Sequence, residues 1–181
     1  MSSFPFVADK VLQSNLDTAF GHIVKLVSLS LSSEYKEEPV LVSSLRKTII
    51  IHTAAIVEAL LLWRLKQFYR TSTVELPDEW RYFEIKTFHI INSSEEVIAG
   101  KRKKERKHID KLDFLRITDL CWANRIITSS ALRGEIDRVR FFRNRLHIGS
   151  LTEIEKEYSK SDLEFCFGVA KKVKKLTSYT H

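Results

Sequence analysis

Thr48–Trp63 reads TIIIHTAAIVEALLLW. Coiled as a helix, this stretch is apolar on every side, so no face is left for water and other elements must cover it all round. The run is shorter than the roughly 20 residues of a membrane span, and His52 and Glu58 interrupt it. The expectation is the central helix of a bundle, running from about Val40 to Tyr69. The polar stretch SSEYKEEP (Ser32–Pro39) precedes it and TSTVELPD (Thr71–Asp78) ends it. On the N-terminal side, Leu12, Leu16, Phe20, Ile23, Val27 and Leu31 recur at helical spacing, which predicts a first helix from about Val7 to Leu31.

Beyond the central helix the pattern changes. WRYFEIKTFHII (Trp80–Ile91) is β-branched and aromatic, NSSE (Asn92–Glu95) is a turn signal, and VIAGKRKKERKHI (Val97–Ile109) follows. Two extended arms about a polar turn suggest a β-hairpin inserted at about residues 80–109. The second arm is too charged for a covered strand, and an exposed loop or a helical start is its alternative.

Helical pattern resumes near Asp113 with FLRITDLCWANRII. Ser129 and Ser130 are candidate caps for a helix to about Ile148, with Gly149 as its stop. A last helix fits Ser161–Ser178, with Ser161 and Glu164 spaced as a capping box. Lys171, Lys172, Lys174 and Lys175 in its last turns suit the helix dipole. The fold class is mainly α, a single helical domain over residues 1–181: a bundle of about five helices with the hairpin inserted.

Bulk properties agree. Five Gly and three Pro in 181 residues imply long, little-broken elements, and 44% hydrophobic with 29% charged residues excludes a disordered chain. The net charge of +7 and pI of about 9.4 favour acidic partners, nucleic acid above all, or else a solvated basic surface. Cys121 and Cys166 lie in apolar contexts and read as buried thiols in a reducing cytosol, without zinc-ligand spacing. MSSFPFVADK has no basic-then-apolar signal pattern, so a cytoplasmic protein with no membrane role is expected.

The stretch RVRFFRNRLHIG (Arg138–Gly149) carries the best candidate chemistry. On a continuous helix Arg140, Arg143 and His147 stand at i, i+3 and i+7 on one face, with Asn144 beside them and Val139, Phe142 and Leu146 turned toward the core. An imidazole titrates near neutrality and can move a proton. Guanidinium groups bind phosphate oxygens and stabilise charge as it develops. RNA brings its own nucleophile, the ribose 2′-OH. Such a site requires neither a cofactor nor a metal, and none is expected. The alternative is a solvated cationic face whose terminal His interacts with the helix dipole.

RNRLHIG at the end of an amphipathic helix resembles the signature of HEPN domains, an Arg, four to six intervening residues and a His, often with a polar residue after the Arg. RKTIIIHTAAIVEALLLW (Arg46–Trp63) resembles that family's early helix, in which Glu58 takes the place of the acidic residue. The resemblance covers about Arg46–Leu65 and Ser130–Gly149, and not the first helix or the hairpin. It implies a helical bundle and a homodimer that joins two motifs across one cleft. It also implies metal-independent endoribonuclease activity on RNA in bacterial defence or toxin systems, with an antitoxin or regulatory partner. His147 would be the general acid–base and Arg140 or Arg143 the phosphate-binding partner. Arg140 has the six-residue gap but is followed by Phe141, whereas Arg143 is followed by Asn144 but stands three residues from His147. A carboxylate at Glu58 must find a partner in so apolar a run or become protonated; an Arg of the motif helix is the candidate, and a purely structural salt bridge is the alternative.

Lys101, Arg102, Lys103, Lys104, Arg106 and Lys107 form the densest basic patch and can hold a phosphate backbone. Alternatively their charges merely protect a solvated strand edge. Trp80, Tyr82, Phe83 and Phe88 can stack on bases but are expected to pack the hairpin against the bundle. His52 is expected as a buried core histidine, His22 has no evident partner, and Trp63 and Trp122 are expected in the core. A second function class stays open: a non-catalytic module that holds RNA or a protein with the basic hairpin.

Overall fold

A computed structural model describes residues 1–35, 37–145 and 158–178. Among them run α1 (Lys10–Ser30), α2 (Pro39–Thr71), β1 (Glu79–Asn92), β2 (Glu95–Glu105), α3 (Phe114–Ala123), α4 (Ser130–Asn144) and α5 (Lys160–Ser178). The chain divides into two compact units, one of residues 1–67 and 113–181 and the other Phe68–Leu112. The mainly helical class with an inserted hairpin is therefore the observed one.

In the helical unit α2 is the core. Ile49, Ile50, Ala54, Val57, Leu60, Leu61 and Leu65 are each at most 1% exposed and lie along one side of the helix, whereas Ile51, His52, Ala59 and Leu62 on the opposite arc are half-buried and Ala55 is exposed, so the cover expected all round is not complete. The helix is 33 residues long, and by length and composition it could cross a membrane, with a mean hydropathy of 1.6 over its most apolar window. In this fold 56% of that window is buried within the protein itself.

Polar side chains set the helix boundaries. Asp9 caps α1 by accepting from the Leu12 amide at 3.0 Å, so the helix begins at Lys10 and not at Val7. Val7 and Phe4 enter the core from the segment before it. Asp113 caps α3 through the Arg116 amide at 2.8 Å, and Ser129 caps α4 through Leu132 at 3.2 Å. The predicted box at Ser161 and Glu164 is displaced by two residues. The Asp162 amide donates to Ser159 Oγ at 3.2 Å while the Ser159 amide donates to Asp162 Oδ2 at 2.9 Å, the same reciprocal logic one half-turn earlier. The helix expected to reach Ile148 ends at Asn144, with Arg145 as its C-cap. Gly149, the expected stop, lies outside the described residues.

α4 packs against α3 and α5. Arg133 reaches Asp119 of α3 at 2.9 Å, and Lys172 of α5 reaches Glu135 at 2.6 Å. Phe142 stands edge-on to both Tyr158 and Phe165. Tyr158 is held to α2 from both sides of its peptide: its amide donates to Ser43 Oγ at 2.9 Å and its carbonyl accepts from Arg46 at 3.2 Å. Two expectations are corrected. His52 is half-buried, its ring 5.8 Å from that of His22, and Trp122 is half-buried beneath the Arg133 guanidinium, whereas Trp63 is in the core.

In the other unit β1 and β2 pair antiparallel, with Trp80 opposite Lys104, Arg81 opposite Lys103, Tyr82 opposite Arg102 and Phe83 opposite Lys101. The charged second arm is thus a strand, exposed on both faces, and backbone pairing offsets its low β-propensity. The register breaks after Phe83, where Glu84 takes a φ of 53°. The aromatic residues expected to be covered are exposed: Trp80 46%, Tyr82 58%, Phe83 39% and Phe88 77%.

Candidate functional site

α4 is anchored by Ile136, Val139 and Phe142, one helical turn apart and buried. That stripe leaves Asp137, Arg140, Arg143 and Asn144 off the core, which is why the helix can present charge at all. Arg143 extends to α2, where its Nη2 stands 3.1 Å from Glu58 Oε2. The sequence left two arginines as partners for Glu58, and Arg143 is the one that meets it. Arg140 donates from Nε to Asp137 Oδ1 at 3.3 Å, an i, i+3 pair on its own helix. Asn144 is exposed at the end of α4. His147 lies outside the described residues.

The Glu58–Arg143 pair is partly withdrawn from water, with side-chain exposures of 20% and 38%. Glu58 shares α2 with the buried Val57, Leu60 and Leu61. Burial among them is the main cause that holds its carboxyl above the ordinary value of 4.5. The Arg143 charge opposes that rise, and the Asp113 carboxylate adds to it. So one guanidinium of α4, itself partly exposed, stands against a half-buried carboxylate of α2. Arginine carries five N–H donors in a planar fork, so a single contact through Nη2 leaves it able to take an anion as well. Asp113 and Asp137 join this site without having stood out in the sequence as site residues. Asp137 was legible as an i−3 acid before Arg140, and Asp113 only as a cap; its influence on Glu58 is tertiary.

The six basic residues of the hairpin do not form one free patch. Lys101 pairs with Glu84 at 2.6 Å, Lys107 with Glu79 at 2.7 Å, and Arg106 with Glu75 at 2.5 Å and Asp78 at 3.4 Å. Arg102 instead lies over the Trp80 ring, 4.3 Å from its centroid, with Lys104 Nζ at 5.3 Å. Lys103 stands opposite Arg81.

Cys121 and Cys166 are both buried and unbonded to one another, and burial pushes the Cys121 thiol up to about 12. Among the described residues no three His, Cys, Asp or Glu side chains converge as metal ligands would. The chain matches no family model, no curated protein and no solved structure.

Proposed function

We propose that this chain is a HEPN-type endoribonuclease that cleaves RNA without a metal ion, acting as a cytoplasmic homodimer in a bacterial defence or toxin role, under an antitoxin or another regulatory partner. The observation that carries the reading is the ion pair of Glu58 with Arg143. It joins the acidic residue of the apolar helix to an arginine of the motif segment, the two places where the sequence resembles that family.

In this reading Arg143, oriented by Glu58, and Arg140 take the non-bridging oxygens of the scissile phosphate and stabilise their growing charge. His147 accepts the proton of the 2′-OH as its oxygen attacks phosphorus. The bond to the 5′-oxygen breaks, and that oxygen takes a proton to leave as a hydroxyl. The products are a 2′,3′-cyclic phosphate and a 5′-OH end. Asn144 orients the ribose hydroxyl or the imidazole.

The test is incubation of the purified chain with RNA in excess chelator, beside His147→Ala. Cleavage that persists in chelator, yields cyclic-phosphate ends and is lost in the variant supports the reading. No cleavage, or equal cleavage by both proteins, refutes it. One observation favours the non-catalytic alternative: on the hairpin, Arg102 and Lys104 stand over the exposed Trp80 ring, a cationic and aromatic pairing that binding alone can use. Under that alternative the hairpin binds RNA and His147→Ala changes nothing.

A further inference from the structure

The hairpin has two unlike faces. Trp80 faces Lys104 and Tyr82 faces Arg102 in the register, so these four side chains share one side of the ribbon. No carboxylate stands among them at those positions. On the other side are Arg81, Phe83, Lys101 and Lys103 with Glu79 and Glu105. There the cations are largely matched, since Arg81 pairs with Glu105 at 3.3 Å, Lys101 with Glu84 and Lys107 with Glu79. One face is thus aromatic and cationic, and its opposite is close to neutral.

We infer that the Trp80–Tyr82–Arg102–Lys104 face is a stacking platform for single-stranded RNA, an inference that rests on reading the chain as an RNA-binding protein, catalytic or not. Residues i and i+2 of a strand stand about 6.6 Å apart. Bases in one strand of a duplex rise by about 3.4 Å. Two neighbouring bases laid on Trp80 and Tyr82 must therefore part from one another, which an unpaired strand does at little cost and a duplex does not. The rings are half-exposed, so their faces are accessible. Arg102 covers the indole in the free protein. A base that takes its place frees the guanidinium for the adjoining phosphate, and Lys104 supplies a second phosphate contact. Lipid is the weaker occupant. Ile85, Phe88, Ile90 and Ile91 are exposed toward the turn, but β2 opens beside the turn with Glu95 and Glu96, which an anionic membrane repels.

The experiment titrates the full chain with a 2′-O-methyl oligouridylate of about 12 nucleotides, long enough for one such site and unable to cyclise, and with an RNA duplex of the same length. Trp80→Ala weakens single-strand binding about 5- to 150-fold, and Trp80→Phe, which keeps a ring, restores most of it. Arg102→Gln with Lys104→Gln lowers the salt slope by about 1.4, roughly 0.7 per phosphate contact. Arg81→Gln with Glu105→Gln removes an ion pair from the opposite face at constant charge and leaves binding unchanged. Equal losses in Trp80→Ala and Trp80→Phe, tighter binding of the duplex, or preference for anionic vesicles over the oligonucleotide overturns the inference. Normal cleavage with a Trp80→Ala variant that binds as the wild type does overturns the platform alone. Intact binding without any cleavage overturns the nuclease reading and leaves the platform standing.

Discussion

Replacing Arg143 by Leu removes the charge that, among the described residues, offsets the burial of Glu58. Fully exposed ion pairs contribute about 0.2–1 kcal/mol, and breaking a fully buried pair costs about 3–5 kcal/mol. With side-chain exposures of 20% and 38%, this pair lies between those limits. After discounting for the solvent around Arg143, a loss of about 1–2 kcal/mol at pH 7 is expected, or roughly 2–8 °C in Tm for a domain of this size. The loss depends on pH, and its sign follows from Glu58. A carboxyl held above 4.5 in the native state binds its proton more tightly there than in the unfolded chain. Its contribution to stability is complete below pH 4.5 and is lost as pH rises through the native pKa. Without Arg143 that pKa climbs further, so the deficit of the variant against wild type is small at pH 4 and grows toward neutrality. Thermal melts followed by far-ultraviolet circular dichroism at pH 4 and pH 7 read both quantities. Glu58→Gln in the Arg143→Leu background should restore most of the lost stability at pH 7, because no uncompensated charge is then left among Val57, Leu60 and Leu61. A deficit that is absent at pH 7, or as large at pH 4 as at pH 7, would show that burial of the Glu58 carboxylate is not what the pair offsets.

Cys121, buried and with its thiol pushed up to about 12, should stay unreactive toward a thiol-specific reagent at pH 8 until the chain unfolds; modification as fast as that of free cysteine would contradict its place in the core. Ser159→Ala should cost about 0.5–2 kcal/mol and Ser161→Ala far less, since only Ser159 exchanges bonds with the Asp162 backbone and side chain; urea melts that rank the two variants in reverse would restore the cap to Ser161.

The helices were legible because burial is written into spacing. The apolar run of α2 supplies most of the core although one arc of it stays half-buried, and the stripe of α1 admits only one buried face. What was illegible belongs to competitions decided by a single hydrogen bond or by pairing with a distant strand. Ser159 and Ser161 are chemically equal caps, and the choice falls to Ser159, whose amide and hydroxyl exchange bonds with Asp162. The run Lys101–Lys107 resists a strand by propensity, yet cross-strand pairing fixes it as one. The hairpin aromatics were expected under cover because rings usually are; nothing in their local spacing separates a ring that packs from one that stays exposed.

The candidate site divides along the same line. Glu58 had to find a cation because an ionised carboxylate among Val57, Leu60 and Leu61 is costly when unpaired, and that demand is visible in the sequence. Which cation answers is a matter of helix phase. Arg140 is satisfied by Asp137 on its own helix, and Arg143, three residues on, projects across to α2. The constraint that makes α2 central therefore also fixes the orientation of the arginine on which the proposed phosphate contact depends. If the chain is the nuclease proposed above, catalysis by that arginine and stability are coupled: any change that removes the Glu58 charge also loosens the guanidinium, so Glu58→Gln should weaken RNA cleavage even where it leaves the fold intact.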